Sequence, residues 1–174
     1  HRIHNADFGG MDPVIYYLLT ALAYTGGLAI PVLIYFAVRR IPLSRGLPFE
    51  RAGFLRTTAL VILGSFGCVL ANIPANFIVN VERALGFSGD LPEMPLNDSP
   101  VVIFLYFVCT AVIPPLVEEM MFRGMILQGL RRFGDGFAVA ASAALFGLYH
   151  GNLAQTVFAF LCGLVLGFVV IRTN

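Results

Sequence analysis

Pro100-Val-Val-Ile-Phe-Leu-Tyr-Phe-Val-Cys-Thr-Ala-Val-Ile-Pro-Pro-Leu-Val117 carries no charge, and it runs directly into Glu118-Glu119-Met120-Met121-Phe122-Arg123. A second uncharged run, Gly124-Met-Ile-Leu-Gln-Gly-Leu130, follows at once. Crossing ~30 Å of hydrocarbon takes about 20 helical residues, so the first run reads as membrane-spanning. Ionisable side chains in such a setting cost roughly 2.5 to 3.5 kcal/mol each even on the gentler insertion scales, and they mark a functional site by default.

The rest of the chain has the same character. Its residues are 58% hydrophobic and 12% charged, with a mean hydropathy of +0.84. Soluble domains average about 45–50% apolar and 25% charged. An all-α, polytopic transmembrane helix bundle is therefore expected, with about five spans in one domain over 1–174. Residues 1–13 read as an N-terminal tail and 100–171 as the motif-bearing core. The net charge is +1, and all eleven basic residues are Arg. No basic field points to nucleic acid; the expected partners are membrane lipids and a membrane-delivered protein or peptide.

Residues 1–10 lack the charged head, apolar middle and small-residue cleavage site of a secretory signal peptide. An apolar run stops abruptly at Arg172-Thr-Asn174. The chain thus reads as a piece of a larger bundle, with further helices after 174. Cys68, Cys109 and Cys162 lie far apart in sequence inside apolar runs, which suits small buried hydrophobes better than a disulfide framework or a metal cluster.

Five apolar segments can be drawn, at about 14–38, 53–79, from 100 onward, 137–150 and 153–171. The fourth is short and rich in small residues, suited to close helix packing. Arg39, Arg40, Arg45, Arg51 and Arg56 crowd the first connection. Glu82, Asp90, Glu93 and Asp98 dominate the second, and Arg131-Arg132 mark the third. By arginine placement the first and third connections are cytoplasmic and the second external. A multi-pass protein of the plasma membrane is expected, or of the ER membrane in a eukaryote. Asp90–Pro100 reads as a loop punctuated by prolines, and Asn97-Asp-Ser99 is formally a glycosylation sequon. The third segment, extended to Phe133, is about 50 Å long as a helix. It must tilt or bend, and Pro114-Pro115 supplies the bend one turn before Glu118.

On an α-helix Glu119 and Arg123 stand i and i+4, the favourable order for an ion pair. Glu118 is rotated about 100° from Glu119, freer to face a cavity and serve as a general base. Glu118 lies sixteen residues before Gly134, and His150 sixteen after it. A turn at Gly134 then sets both side chains about 24 Å from it, at one level, where a carboxylate and an imidazole can share a water and activate it for attack on an amide. Phe146, one turn before His150, is expected to pack on the imidazole. Gly134 and Gly136 are expected turn residues, and Asn152 and Gln155 cap and packing amides.

Glu118-Glu119-x-x-x-Arg123 followed by Phe146-x-x-x-His150 resembles the CPBP family, the CAAX proteases and bacteriocin-processing enzymes also called the ABI family. The likeness covers roughly Pro100 to Ile171, including Gly151-Asn-Leu-Ala-Gln155. It implies an intramembrane endopeptidase in which Glu118 and His150 activate a water, with Glu119, Arg123 and Phe146 as the remaining motif members. Family members carry a later His-x-x-x-Asn helix assigned to the oxyanion. This chain has no such motif, so the resemblance implies that a later helix, a second chain or Asn152 takes that part, and that this stretch alone lacks full activity. A metal-free mechanism with no cofactor is preferred. One His and two carboxylates formally ligate zinc, but a catalytic zinc site usually needs three protein ligands at fixed spacing. Two other classes stand beside the protease: an inactive membrane scaffold or bacteriocin-immunity protein that uses the polar cluster for binding, and a proton-coupled transporter.

Overall fold

The computed structural model describes residues 11–42, 53–87 and 94–173. All regular structure among them is helical, in five helices. We label these α1 (Pro13–Val38), α2 (Phe54–Ala84), α3 (Pro100–Phe133), α4 (Asp135–Tyr149) and α5 (Leu153–Thr173). Four of them are long and apolar enough to cross a membrane, and α4 is shorter. The chain is a polytopic helical bundle and a multi-pass membrane protein. The reading of residues 1–10 lies outside the described residues, as do most of the Arg-rich first connection and the start of the 90–100 loop.

Local chemistry sets the helix boundaries. Asp12 caps α1, its Oδ1 accepting from the backbone N–H of Val14 at 2.8 Å and of Ile15 at 3.4 Å, with Pro13 at the first helical position. Proline fits there because its missing N–H would have no intrahelical partner anyway. Pro100 likewise takes the first helical position of α3, after Ser99, whose side chain makes no capping bond. Inside α2, Pro74 removes one backbone donor. The side-chain amides of Asn72 and Asn76 donate to the carbonyls of Cys68 and Asn72, at 3.0 and 2.9 Å. Gly134 joins α3 to α4 with φ 109° and Gly151 joins α4 to α5 with φ 67°; both lie in the left-handed region that glycine alone adopts without strain. The expected turn at Gly134 is therefore present. So is the cap at Asn152, whose Oδ1 accepts from the Gln155 N–H at 3.2 Å.

Two of the spans are not plain α-helices. In α1, residues Thr25–Ala29 form a wide π turn in which the Ile30 N–H reaches the Thr25 carbonyl. In α3, Val108–Val112 do the same, with the Ile113 N–H on the Val108 carbonyl. Each wide turn ends two residues before a proline, Pro31 in α1 and Pro114 in α3. A proline ring crowds the preceding turn and leaves a carbonyl without its donor, and one extra residue in that turn opens the space. The expected bend at Pro114-Pro115 is thus a widened turn before the prolines. A third wide stretch, Glu119–Leu127, begins at the acidic pair itself. This corrects the α-helical spacing assumed for Glu118, Glu119 and Arg123. Wide helical turns are rare and concentrate at functional sites.

The described residues divide into two compact units. The first contains α1, residues 94–99 and α3 as far as Met121. Its core is Tyr17, Val102 and Cys109, with Val14, Tyr16, Ala21, Leu105 and Tyr106 against them. The Tyr17 hydroxyl donates to the Pro95 carbonyl at 2.9 Å, and the Cys109 thiol approaches the Tyr17 carbonyl at 3.4 Å. The rings of Tyr16 and Tyr106 meet Tyr17 edge-on, at 5.2 and 6.2 Å between centroids.

The second unit contains α2, the rest of α3 from Phe122, α4 and α5. Here α5 packs on both α2 and α4, and glycines allow the approach. A Cβ on Gly163 would stand 3.0 Å from Ala143, and one on Gly147 would stand 2.7 Å from the Thr156 carbonyl oxygen. A Cβ on Gly67 would meet Val165 at 3.1 Å. This is the small-residue interface that the alanine-rich α4 sequence suggested. Cys68 and Cys162, far apart in sequence, meet across α2 and α5 with sulfurs 3.3 Å apart, both as free thiols.

Candidate active site

Glu118 and Glu119 belong to the first unit, and both are half-buried. Glu118 closes the α-helical turn Ile113–Glu118, and Glu119 opens the wide stretch. The Thr25–Ala29 turn of α1 packs against the Ile113–Glu118 segment. Tyr24, the residue just before that turn, donates its hydroxyl to Glu118 Oε1 at 3.0 Å. The sequence reading missed Tyr24. The signal lay in its chemistry: a phenol within an apolar span needs a hydrogen-bond acceptor, and carboxylates are scarce there.

Arg123, Phe146 and His150 belong to the second unit, and this unit brings them together around one ring. Arg123 is 1% exposed, and its guanidinium lies over the Phe146 ring, 4.4 Å from the centroid. Arginine is weakly hydrated and planar, which suits it to stacking on an aromatic face in a dry site. The Phe146 ring also meets Phe122 at 5.0 Å and His150 at 5.0 Å, both near edge-on. Tyr149 closes the group, at 5.8 Å from Phe122 and 5.9 Å from His150. Phe146 therefore packs on the imidazole, as its place one turn earlier suggested. Ser142 fixes the α3 side of this cluster, its buried hydroxyl donating to the Phe122 carbonyl at 2.8 Å.

His150 has its tautomer set by the backbone. Its Nδ1 lies 2.9 Å from the Phe146 carbonyl, and a carbonyl only accepts, so Nδ1 is the nitrogen that carries the proton. In the neutral ring Nε2 then holds the lone pair. An imidazole so arranged can accept a hydrogen bond from water through Nε2. Asn152, two residues on, commits its Oδ1 to capping α5.

Among the described residues no group of three or more His, Cys, Asp and Glu is arranged to hold a metal ion.

The fold and these side chains define a multi-pass helical membrane protein with ionisable groups inside its spans. Residues 100–174 match the family model described as type II CAAX prenyl endopeptidase Rce1-like. Over this stretch, 75 of the 174 residues, the chain is similar to the CPBP/CAAX proteases. No curated protein and no solved structure matches the chain.

Proposed function

We propose that the protein hydrolyses a peptide bond of a membrane-delivered substrate with a water activated by Glu118 and His150. The Glu118 carboxylate takes a proton from the water as its oxygen bonds to the scissile carbonyl carbon. His150 accepts the water's other O–H through Nε2 and orients it. The tetrahedral intermediate then expels the amine, which leaves with the proton that Glu118 took up. Glu119 and Arg123 are the remaining polar members of the motif, and Phe146 holds both Arg123 and His150. The reaction needs no cofactor. Lipid-borne delivery fits a prenylated CAAX chain end, whose anchor brings the scissile bond to the bilayer. Arginine placement supports a cytoplasmic position for the first and third connections, and the membrane we propose is the plasma membrane, or the ER membrane in a eukaryote.

The observation that carries this reading is that both motifs fall inside the family-matched stretch 100–174. The test is cleavage of a fluorogenic farnesylated CAAX peptide by the full-length protein in liposomes. Glu118→Gln and His150→Ala should each abolish cleavage while inserting normally, and a chelator should leave the wild type active. Cleavage persisting in both variants overturns the assignment. A wild-type protein that inserts and never cleaves favours the scaffold or immunity protein, and proton flux without proteolysis favours the transporter.

A further inference from the structure

Glu118 is the base in the reading above, and the following inference rests on that reading. Its carboxylate stands in a half-buried position on a helix about to change from α to wide turns. A glutamate has three side-chain torsions, so its carboxylate can be aimed in several directions from one backbone position. Tyr24 supplies a constraint from another span. Its hydroxyl donates to Glu118 Oε1 at 3.0 Å, across 94 residues of sequence. Hydrogen bonds to a charged acceptor are about twice as strong as neutral ones.

The backbone of α1 delivers that hydroxyl. The turn ahead of Pro31 is widened, and Tyr24 is the last α-helical residue before that turn, Thr25–Ala29. A Cβ built on Gly26 or Gly27 meets nothing within 4 Å, so these glycines make no close approach of their own. It is the widened turn as a whole that packs on Ile113–Glu118.

We propose that Tyr24 is a positioning residue for the reaction: it holds the Glu118 carboxylate in the orientation from which it takes the proton of the attacking water. Tyr24 lies outside the family-matched stretch 100–174, so this part of the site is contributed by a span the family match does not reach. A residue that aims the base acts after substrate has bound. Its loss therefore lowers kcat and leaves KM in place.

The experiment uses the full chain in liposomes with the farnesylated peptide, and compares Tyr24→Phe, Glu118→Gln and Tyr35→Phe. Tyr35 also sits in α1 and its ring packs on Phe36, so Tyr35→Phe controls for loss of a phenol from the same helix. Tyr24→Phe should lower kcat roughly ten-fold, the scale of one hydrogen bond, with KM and the Tyr35→Phe variant unchanged. Infrared difference spectra give a second readout that needs no turnover: the carboxyl band missing from Glu118→Gln should shift in Tyr24→Phe and stay in place in Tyr35→Phe. If Glu118→Gln is inactive but Tyr24→Phe turns over like wild type, the positioning role is overturned and Glu118 keeps its part as base. If Glu118→Gln remains active, the base assignment fails and the positioning role fails with it; an unshifted band would show that the contact itself is absent.

Discussion

The two units hold their helices together by different means. In the first, α1 meets α3 and the residues just before it through tyrosines. Tyr17 donates to Pro95, the Cys109 thiol reaches the Tyr17 carbonyl, and Tyr24 donates to Glu118. In the second, α5 meets α4 and α2 through absent side chains, at Gly147, Gly163 and Gly67. Lipid tails are as apolar as leucine, so neither interface draws on a hydrophobic driving force of the kind that works in water. One uses hydrogen bonds and the other close van der Waals contact. The first kind can lose one bond and keep its shape, whereas the second has no room for an added atom. The candidate base sits in the first kind of packing and the candidate imidazole in the second.

That contrast is most exposed at Phe146. Its ring carries the Arg123 stack and the edge contacts to Phe122 and His150. Phe146→Ala removes all three at once and leaves a cavity beside a buried guanidinium. The expected loss is about 3 kcal/mol or more, read as a drop in the unfolding midpoint in detergent. Its size tests whether the ring is the hub of the second unit. A loss under about 1 kcal/mol, the median of ordinary substitutions, would place the cluster's stability elsewhere.

Gly147→Ala comes next. The new methyl would stand 2.7 Å from the Thr156 carbonyl oxygen and 3.1 Å from the Phe160 Cβ. Backbone cannot swing aside as a side-chain tip can, so α4 and α5 must separate. Overpacking of this kind costs about 1–3 kcal/mol, and an unchanged midpoint would mean that the two helices are not in contact there. The same contact geometry makes a companion check: with the sulfurs 3.3 Å apart, a membrane-permeant thiol oxidant such as diamide, which takes up the two electrons and two protons, should join Cys68 to Cys162 as a disulfide, and Cys68→Ser should abolish the link.

Much of this was legible in residues and some was not. Runs such as Val14–Val38 and Leu153–Ile171 announce spans because lipid requires apolar side chains over a fixed length. Gly134 announces the α3–α4 turn, and Asn152 the cap of α5, through local rules that do not depend on tertiary partners. The wide turns were not read, although Pro31 and Pro114 stand beside two of them. Proline says that a donor is missing; the packing around it decides whether the helix kinks or widens. Glu118 and Glu119 stand out because a charge in an apolar run is rare. Tyr24 does not, since a tyrosine among aliphatic residues looks like a lipid contact until its hydroxyl is asked for an acceptor. The meeting of Cys68 with Cys162 is likewise a matter of helix register, which no local pattern carries.

The smallest effects divide the units most clearly. Tyr17 is 1% exposed, and Tyr17→Phe removes only the hydroxyl that reaches the Pro95 carbonyl, while its ring still meets Tyr16 and Tyr106. A buried hydrogen bond of this kind contributes about 0.5–1.5 kcal/mol net, and the Pro95 carbonyl retains a second lone pair for another donor. The expected loss is therefore about 1 kcal/mol, with helical content unchanged. Gly26→Ala should do less still. Its methyl meets nothing within 4 Å and its φ is not left-handed, so the helix propensity of alanine is the main term and slightly raises the midpoint, by about 0.5 kcal/mol. One methyl group thus has opposite signs in the two units, destabilising at Gly147 and mildly stabilising at Gly26. If both substitutions lowered the midpoint equally, the Thr25–Ala29 turn would be as tightly packed as α4 against α5, and the distinction between the two kinds of packing would fail.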